Sequence, residues 1–176
     1  MSAISTQPSN KNFLSPLGFK FVIKKTPNIN WFVQSVNLPT IALPDITVST
    51  PFINVPVPGD RVQFSNLEVT FRVDEDMQNY LEIYKWLISA GFPETFEQYK
   101  GPDPSNSVGR FNQKEIVSDG TLVIHDSKMN PKTQVTFKDM FPVSLSELKF
   151  DTTMPDVSYI QSTVTFRYSR FTIESL

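Results

Sequence analysis

The chain of 176 residues contains one histidine, His125, and this is the side chain best suited to proton transfer near neutral pH. A single histidine can act as a general base, but it cannot form a two-histidine metal site. His125 follows Leu122, Val123 and Ile124, an apolar run typical of a β-strand. We therefore favour a structural histidine on a sheet face over a catalytic one.

Carboxylates occur in two groups that could in principle form an acid–base pair. Asp74-Glu75-Asp76 precedes an apolar pattern of helical period, where such residues supply N-cap oxygens and favourable charge. Glu94 and Glu97 lie in a polar segment. Helix capping and a solvated loop are the favoured interpretations of the two groups.

Three lysines interleave with aromatic residues near the start of the chain. Lys20, Lys24 and Lys25 alternate with or follow Phe19 and Phe21, which resembles a stacking platform for single-stranded nucleic acid. Alternation on a half-buried strand produces the same pattern and is the favoured interpretation. We predict no catalytic, cofactor-binding or metal-binding residues, and therefore that the protein is not an enzyme.

Composition favours β structure. The chain has 15 Phe and 14 Pro, only 19% charged residues, and no Cys, so packing and association must hold it together without disulfides. Its net charge of -2 gives no basic field for nucleic acid. The polar start lacks a signal-peptide pattern, and no apolar run approaches the ~18 residues of a membrane span. We expect a soluble protein without a membrane anchor, made and assembled in a cytoplasm.

Alternation of apolar and polar residues predicts a mainly β fold, an antiparallel barrel or sandwich with one flanking α-helix. We predict a flexible arm over residues 1–12 and a single domain over residues 13–176. The predicted helix covers about residues 76–90 and is followed by a loop over 94–114. Its apolar face is predicted to contain Met77, Tyr80, Leu81, Tyr84, Leu87 and Ile88.

The predicted strands begin with a hairpin that joins Phe19–Lys24 to Trp31–Leu38. Leu67 to Val73 shows the clearest alternation. The remaining strands are a hairpin of 121–126 and 133–141, a strand marked by Leu145, Leu148 and Phe150, and a last strand over 159–173. In the last strand the apolar parity changes, which indicates either a bulge near Ser169 or a strand apolar on both faces.

A proline-rich yet apolar segment separates the second and third predicted strands. Its prolines exclude a central strand, and its aliphatic residues are unusual for a solvated loop. We predict an extended arm or long hairpin over about 45–62, whose apolar partner lies on another subunit. The candidate inter-subunit residues are Ile46, Val48, Phe52, Ile53, Val55, Val57, Gly59, Asp60 and Arg61.

Several segments, taken in order, resemble the tail tube proteins of contractile-tailed (myovirus) bacteriophages. They cover roughly residues 17–173, whereas the N-terminal arm and the 100–114 loop depart from the family pattern. The segments are Val36-Asn37-Leu38-Pro39, Ala42-Leu43-Pro44, Val57-Pro58-Gly59-Asp60-Arg61, Leu67-Glu68-Val69-Thr70-Phe71, Asp74-Glu75-Asp76, Met140-Phe141-Pro142, Ser146-Glu147-Leu148-Lys149-Phe150-Asp151 and Val164-Thr165-Phe166-Arg167-Tyr168.

The resemblance implies an Hcp-like fold, shared with type VI secretion tubes and pyocins, whose hexameric rings stack into a hollow tube inside a contractile sheath. It also implies that DNA passes through the lumen without sequence-specific binding. The expected partners are other copies of the chain, the tail sheath protein, baseplate and tail terminator proteins, and the tape measure protein. The expected location is the virion tail, assembled in the host bacterial cytoplasm.

Three functions remain open from the sequence. The first is the tail tube subunit, and the second is a baseplate-proximal tube initiator or a type VI or pyocin-like tube protein. The third, from a different class, is a sugar-binding β-sandwich, which predicts several exposed aromatic side chains in one cleft. Trp31 lies in a predicted strand and Trp86 in the predicted helix, so no such cluster is visible.

Overall fold

The computed structural model describes residues 11–91, 116–153 and 159–176. Most of the predicted N-terminal arm, the predicted 94–114 loop, Glu94 and Glu97 lie outside these ranges. The described elements are β1 (Phe19–Ile23), a 3₁₀ turn (Ile29–Trp31), β2 (Val33–Val36), β3 (Ile41–Ala42), β4 (Asp45–Ser49), β5 (Asn54–Pro58), β6 (Gln63–Phe64), β7 (Leu67–Arg72), α1 (Gln78–Gly91), β8 (Ser118–His125), β9 (Pro131–Leu145), β10 (Gln161–Arg167) and β11 (Arg170–Ser175).

The main sheet has seven antiparallel strands. Six follow the order β1-β8-β9-β10-β7-β2, and β11 also pairs with β9. Two further pairs, β3 with β6 and β4 with β5, form small sheets of their own. The predicted fold class, mainly antiparallel β with one helix, is therefore confirmed.

Strand β9 is long and pairs with different strands along its two parts. Residues in its first part pair with β8 and β11, whereas Phe141 to Leu145 pair with β10. The pairing with β8 shifts register between Phe137 and Met140, and Asp139 within this interval has a positive φ of 54°. The predicted strand through Leu148 and Phe150 is wrong, because β9 ends at Leu145 and Phe150 is an exposed residue outside the strands.

One hydrophobic core forms between the strands and the helix. In β7 every second residue is fully buried and the residues between them are more exposed, which is the period of a strand with one face covered. Gly120 is closely packed against the core, because a Cβ at this position would be 2.9 Å from Met140 Cε. The core consists of Phe21, Ile23, Ile29, Leu67, Val69, Phe71, Ile83, Trp86, Leu122, Val135, Phe137, Met140, Val164 and Phe166.

The predicted opening hairpin is wrong. Strand β1 pairs with β8 and β2 pairs with β7, so the two strands lie at opposite ends of the sheet order. Between them the 3₁₀ turn redirects the chain, and Asn30 fixes it to β1. The Ile23 N–H donates to Asn30 Oδ1 at 2.8 Å, and this bond occupies a donor on the free edge of β1.

Helix α1 starts two residues later than predicted, and its buried face overlaps the predicted one only at Tyr80 and Leu87, which pack partly buried against the core. Its fully buried residues are Asn79, Ile83 and Trp86, whereas Tyr84 is exposed and Leu87 is only partly buried. Trp86 Nε1 donates to the Ile116 carbonyl at 2.6 Å. Of the predicted cap residues, Asp74 has its Oδ1 buried without a hydrogen-bond partner among the described residues, and capping by Asp76 stays a prediction.

The predicted last strand is two strands. β10 and β11 are separated at Tyr168 and Ser169, and the Ser169 N–H donates to the Lys138 carbonyl at 3.0 Å. The change of parity predicted near Ser169 therefore marks the point where the chain leaves β7 and continues along β9. Among the described residues, no helix is long and apolar enough to span a membrane.

Candidate functional site

The predicted arm is a two-stranded β-ribbon formed by β4 and β5. The two strands pair antiparallel over five residue pairs, from Asp45 with Pro58 to Ser49 with Asn54. They pair with each other and with no strand of the main sheet. Every residue of both strands is exposed in the single chain.

The ribbon has one apolar and one polar face. Directly paired residues of an antiparallel ladder share a face, and alternate pairs lie on opposite faces. The pairs Ile46–Val57 and Val48–Val55 therefore form one face made only of β-branched aliphatic side chains. The other face carries Asp45, Thr47, Ser49, Asn54, Pro56 and Pro58.

The far end of the ribbon is a tight turn that projects an aromatic ring. The Thr50 N–H donates to the Ile53 carbonyl at 3.0 Å, and the Ile53 N–H donates to Thr50 Oγ1 at 3.2 Å. Both hydrogen bonds join residues of the turn to each other and stabilise it. Phe52, at its tip, is 93% exposed, so the most exposed apolar group of the ribbon sits at its far end.

The near end of the ribbon is attached to the main sheet through β3 and β6. Phe64 packs against Phe171 and Tyr168, with ring centroids 5.4 and 6.1 Å away. Tyr168 Oη donates to the Ser65 carbonyl at 2.9 Å, and Ser65 Oγ accepts from the Thr40 N–H at 2.8 Å. This aromatic and hydrogen-bonded base fixes where the ribbon leaves the body.

The predicted inter-subunit residues thus lie in one projecting element. Ile46, Val48, Val55 and Val57 share the apolar face, Phe52 and Ile53 lie at the tip, and Gly59, Asp60 and Arg61 follow β5 at the near end. Asp60 and Arg61 are exposed and form no ion pair with any described residue. Their contact with another subunit stays a prediction.

The sequence prediction missed apolar residues nearer the base. Ile41 and Leu43 are each about half exposed and extend the apolar surface beyond residues 45–62. Val62, also about half exposed, lies at the end of the predicted arm but was not among the candidate residues. The signal for them was the alternation of proline and aliphatic residues, which begins at Pro39. Trp31, 86% exposed beside β2, is a further large apolar group outside the ribbon.

His125 and its neighbour Asp126 do not form an acid–base pair. The Asp126 carboxylate accepts the N–H groups of Lys128 and Asn130 at 2.8 and 2.9 Å and closes the β8–β9 turn. These bonds, that from Asn130 first, lower the pKa of Asp126 below its usual value. His125 Nδ1 is buried and has no partner among the described residues, and the structural role of His125 stays a prediction.

A second carboxylate, that of Glu82 on α1, is hydrogen-bonded to Asn28, the residue just before the 3₁₀ turn. Asn28 Nδ2 donates to Glu82 Oε1 at 2.7 Å, and Glu82 Oε2 is buried without a partner in the described part of the chain. Burial raises the pKa of Glu82, and the nearby Asp74 charge raises it further. The described residues contain no group of three or more potential metal ligands.

In the described part of the chain, the aromatic residues singled out from the sequence do not form a ligand cleft or a stacking platform. Phe21 is buried in the core, and Lys25 lies over the Trp86 ring at 5.0 Å from its centroid. Trp86 is itself 2% exposed, so Trp31 is the one solvent-facing tryptophan of the two. These positions give no support to sugar or single-strand binding.

Comparisons with known proteins identify a family and one curated relative. The family described as "Phage tail tube protein" matches residues 4–174. The tail tube terminator protein of Enterobacteria phage T4 is 26% identical over 144 residues, which cover 80% of this chain and 76% of that protein.

Two solved structures share the fold. A chain in the cryo-EM structure of the anti-feeding prophage cap (AFP tube terminating cap) superposes with a TM-score of 0.64 at 14% identity, with both chains fully covered. A chain in the sheath-tube complex of the PVC extracellular contractile injection system, in the extended state, gives a TM-score of 0.63 at 16% identity and covers 100% of this chain and 99% of that one. Identities this low show a common fold and nothing about function.

Proposed function

The chain belongs to the phage tail tube protein family, and we propose that it is a non-enzymatic structural subunit that ends a contractile tail tube as its terminator. Copies of the chain associate into a ring through the exposed ribbon, and this ring joins the end of the tube. The location that follows is the virion tail.

The observation that carries self-association is the one-sided apolar ribbon. Ile46, Val48, Val55 and Val57 form a continuous aliphatic face that the single chain leaves in water. Monomeric proteins seldom expose such a face without a partner. An isolated two-stranded ribbon is also marginally stable by itself, so docking on a neighbour supplies the missing burial.

The position at the tube end is supported by the relative from phage T4. That protein carries the name tail tube terminator, and its similarity extends over most of both chains. We propose that this chain contacts the last tube ring on one side and other tail proteins on the other. We propose the tail sheath protein as the neighbour around it, with DNA passing through the lumen past nonspecific walls.

A second candidate is the repeating tube subunit itself. The family description, tail tube protein, favours it directly, and an exposed ribbon suits contacts between successive rings. In that case baseplate and terminator proteins are partners at the two ends, and the tape measure protein occupies the lumen before DNA. The tube initiator at the baseplate differs from both in position.

Copy number in purified virions separates these candidates. Quantitative mass spectrometry against the sheath protein is expected to give the copies of one ring for a terminator or initiator, and a number close to that of the sheath protein for the repeating subunit. Immunogold labelling then places a single ring at the head-proximal or baseplate end of the tail. Sheath-like copy number contradicts the terminator proposal, and labelling at the baseplate end favours the initiator.

Electron microscopy of the purified protein gives an independent result. A terminator is expected to form isolated rings even at high concentration, because its outer side does not accept another ring. Long tubes contradict that expectation and support the repeating subunit. A protein that stays monomeric at every concentration contradicts self-association altogether.

A further inference from the structure

The ribbon joins its base at an asymmetric joint. Between the pair Ala42–Gln63 of the base and the pair Asp45–Pro58 of the ribbon, one strand has two residues and the other has four. Unequal lengths of this kind interrupt a ladder and bend it, as a β-bulge does. The direction of the ribbon is therefore decided at this interruption.

Gly59 closes the joint against Pro44. The Gly59 N–H donates to the Pro44 carbonyl oxygen at 2.8 Å, a backbone hydrogen bond between the residue before β4 and the residue after β5. A Cβ on Gly59 would lie 2.4 Å from that same oxygen, closer than non-bonded atoms approach. Because the obstructing atom belongs to the backbone, no side-chain rotation relieves the contact.

We propose that Gly59 is a positioning residue that sets the direction in which the ribbon leaves the body, and that any side chain there swings the ribbon out of register with the neighbouring copy. The consequence for assembly rests on the proposed function. The joint lies outside the hydrophobic core, and Pro44 and Gly59 contact none of the core strands through a hydrogen bond that the structure records.

Geometry gives the expected size of the movement. Ordinary contact at 3.4 Å requires the Pro44 oxygen and a new Cβ to separate by about 1 Å more than the present backbone allows. Strand β4 continues for five residues beyond the joint, about 17 Å at about 3.3 Å per residue. A rotation that opens the joint by about 1 Å therefore moves the far end of the ribbon by several ångströms.

Spin-label distances measure this movement directly in the unassembled protein. The chain has no cysteine, so Ser49→Cys on the ribbon and Thr172→Cys on β11 take a nitroxide pair without competing sites. In this background Gly59→Ala is expected to shift the distance distribution, and Gly59→Val to shift it further. Gly91→Ala is the matched control, because no described heavy atom outside its chain neighbours and its own helix backbone lies within 4 Å of the new Cβ.

Self-association of the unlabelled variants is followed by sedimentation velocity, with thermal unfolding as a check on the body. Gly59→Ala is expected to require about tenfold or more protein for the same degree of assembly, at an unchanged unfolding midpoint. Gly91→Ala is expected to assemble like the wild type.

An unchanged distance distribution in both Gly59 variants overturns the inference. A shifted distribution with wild-type assembly overturns the claim that direction matters for the partner. If the wild-type protein does not self-associate, the proposed function fails, and the distance shift alone decides whether Gly59 sets the direction of the ribbon.

Discussion

A charge is expected to weaken assembly strongly when it is placed on the apolar face of the ribbon, and to leave assembly nearly unchanged when it is placed on the polar face. Val48 and Thr47 are neighbours in β4 whose side chains lie on the apolar and the polar face, respectively. Val48→Asp and Thr47→Asp introduce the same charge at nearly the same place. The pair therefore separates the burial of one face from any general effect of charge on the ribbon.

The magnitude follows from the exposed surface. Ile46, Val48, Val55 and Val57 are 57, 48, 38 and 40% exposed, which together is nearly two whole side chains. Since burying one aliphatic side chain is worth about 1.5–3 kcal/mol, docking this face contributes about 3–5 kcal/mol per ribbon. Val48→Asp loses about 1 kcal/mol of that burial and adds several kcal/mol for an unpaired carboxylate taken out of water.

Self-association of the Val48→Asp variant is therefore expected to be weaker by about three orders of magnitude. Thr47→Asp is expected to assemble within about threefold of the wild type, because its charge stays in solvent. Sedimentation velocity over a concentration series measures both. Because both positions are remote from the core, the unfolding midpoints should match that of the wild type. Equal weakening by the two substitutions, or wild-type assembly of Val48→Asp, would refute the one-sided docking argument.

Three further predictions concern the body. Trp86→Ala removes a buried ring and is expected to lower the free energy of unfolding by about 3–5 kcal/mol, whereas Leu87→Ala, at a partly buried position, is expected to lower it by about 1–2 kcal/mol. Urea denaturation measures both, and equal losses would contradict the helix face described above. Glu82→Gln is expected to raise the thermal midpoint at pH 7, because burial places the folded-state pKa of Glu82 above its unfolded value of 4.5 and so penalises the charged form. That penalty is present above the folded-state pKa and disappears as pH falls through it. The gain in thermal midpoint should therefore vanish in acid, and a gain that does not change with pH would contradict this explanation. For Asp126 the hydrogen bonds lower the pKa below 3.8, so its contribution is present at neutral pH and is lost as pH falls below that value; Asp126→Asn is expected to lower the midpoint at pH 7 and to flatten its fall in acid.

The sequence predicted the strands whose pairing partners impose simple alternation. In β7 and β10 the predicted apolar residues are the buried ones, because one face of each strand is covered by the core and the other is not. The ribbon was predicted for a different reason: its prolines excluded a central strand while its aliphatic residues required burial. Both signals are local and depend on residue type at fixed spacing.

These local signals do not show which strands pair when the strands are far apart in the sequence. Phe19–Ile23 and Val33–Val36 read as neighbours in sequence, yet Asn30 and the 3₁₀ turn send them to opposite ends of the sheet. The helix face was misplaced because the Tyr and Leu residues cluster on one side of α1, whereas the fully buried side lies next to it and includes a polar residue, Asn79. Its Nδ2 donates to the Arg72 carbonyl at 2.8 Å, and a hydrogen bond of this kind leaves no trace in hydrophobic periodicity.

Hydrogen exchange of the ribbon amides, compared between free and assembled protein, tests the central claim most directly. We predict that the backbone of residues 45–58 exchanges rapidly in the free chain, since a lone two-stranded ribbon opens easily, and becomes strongly protected when copies associate. Equal and rapid exchange in both states would show that the ribbon stays in solvent, and would contradict its role as the contact between copies.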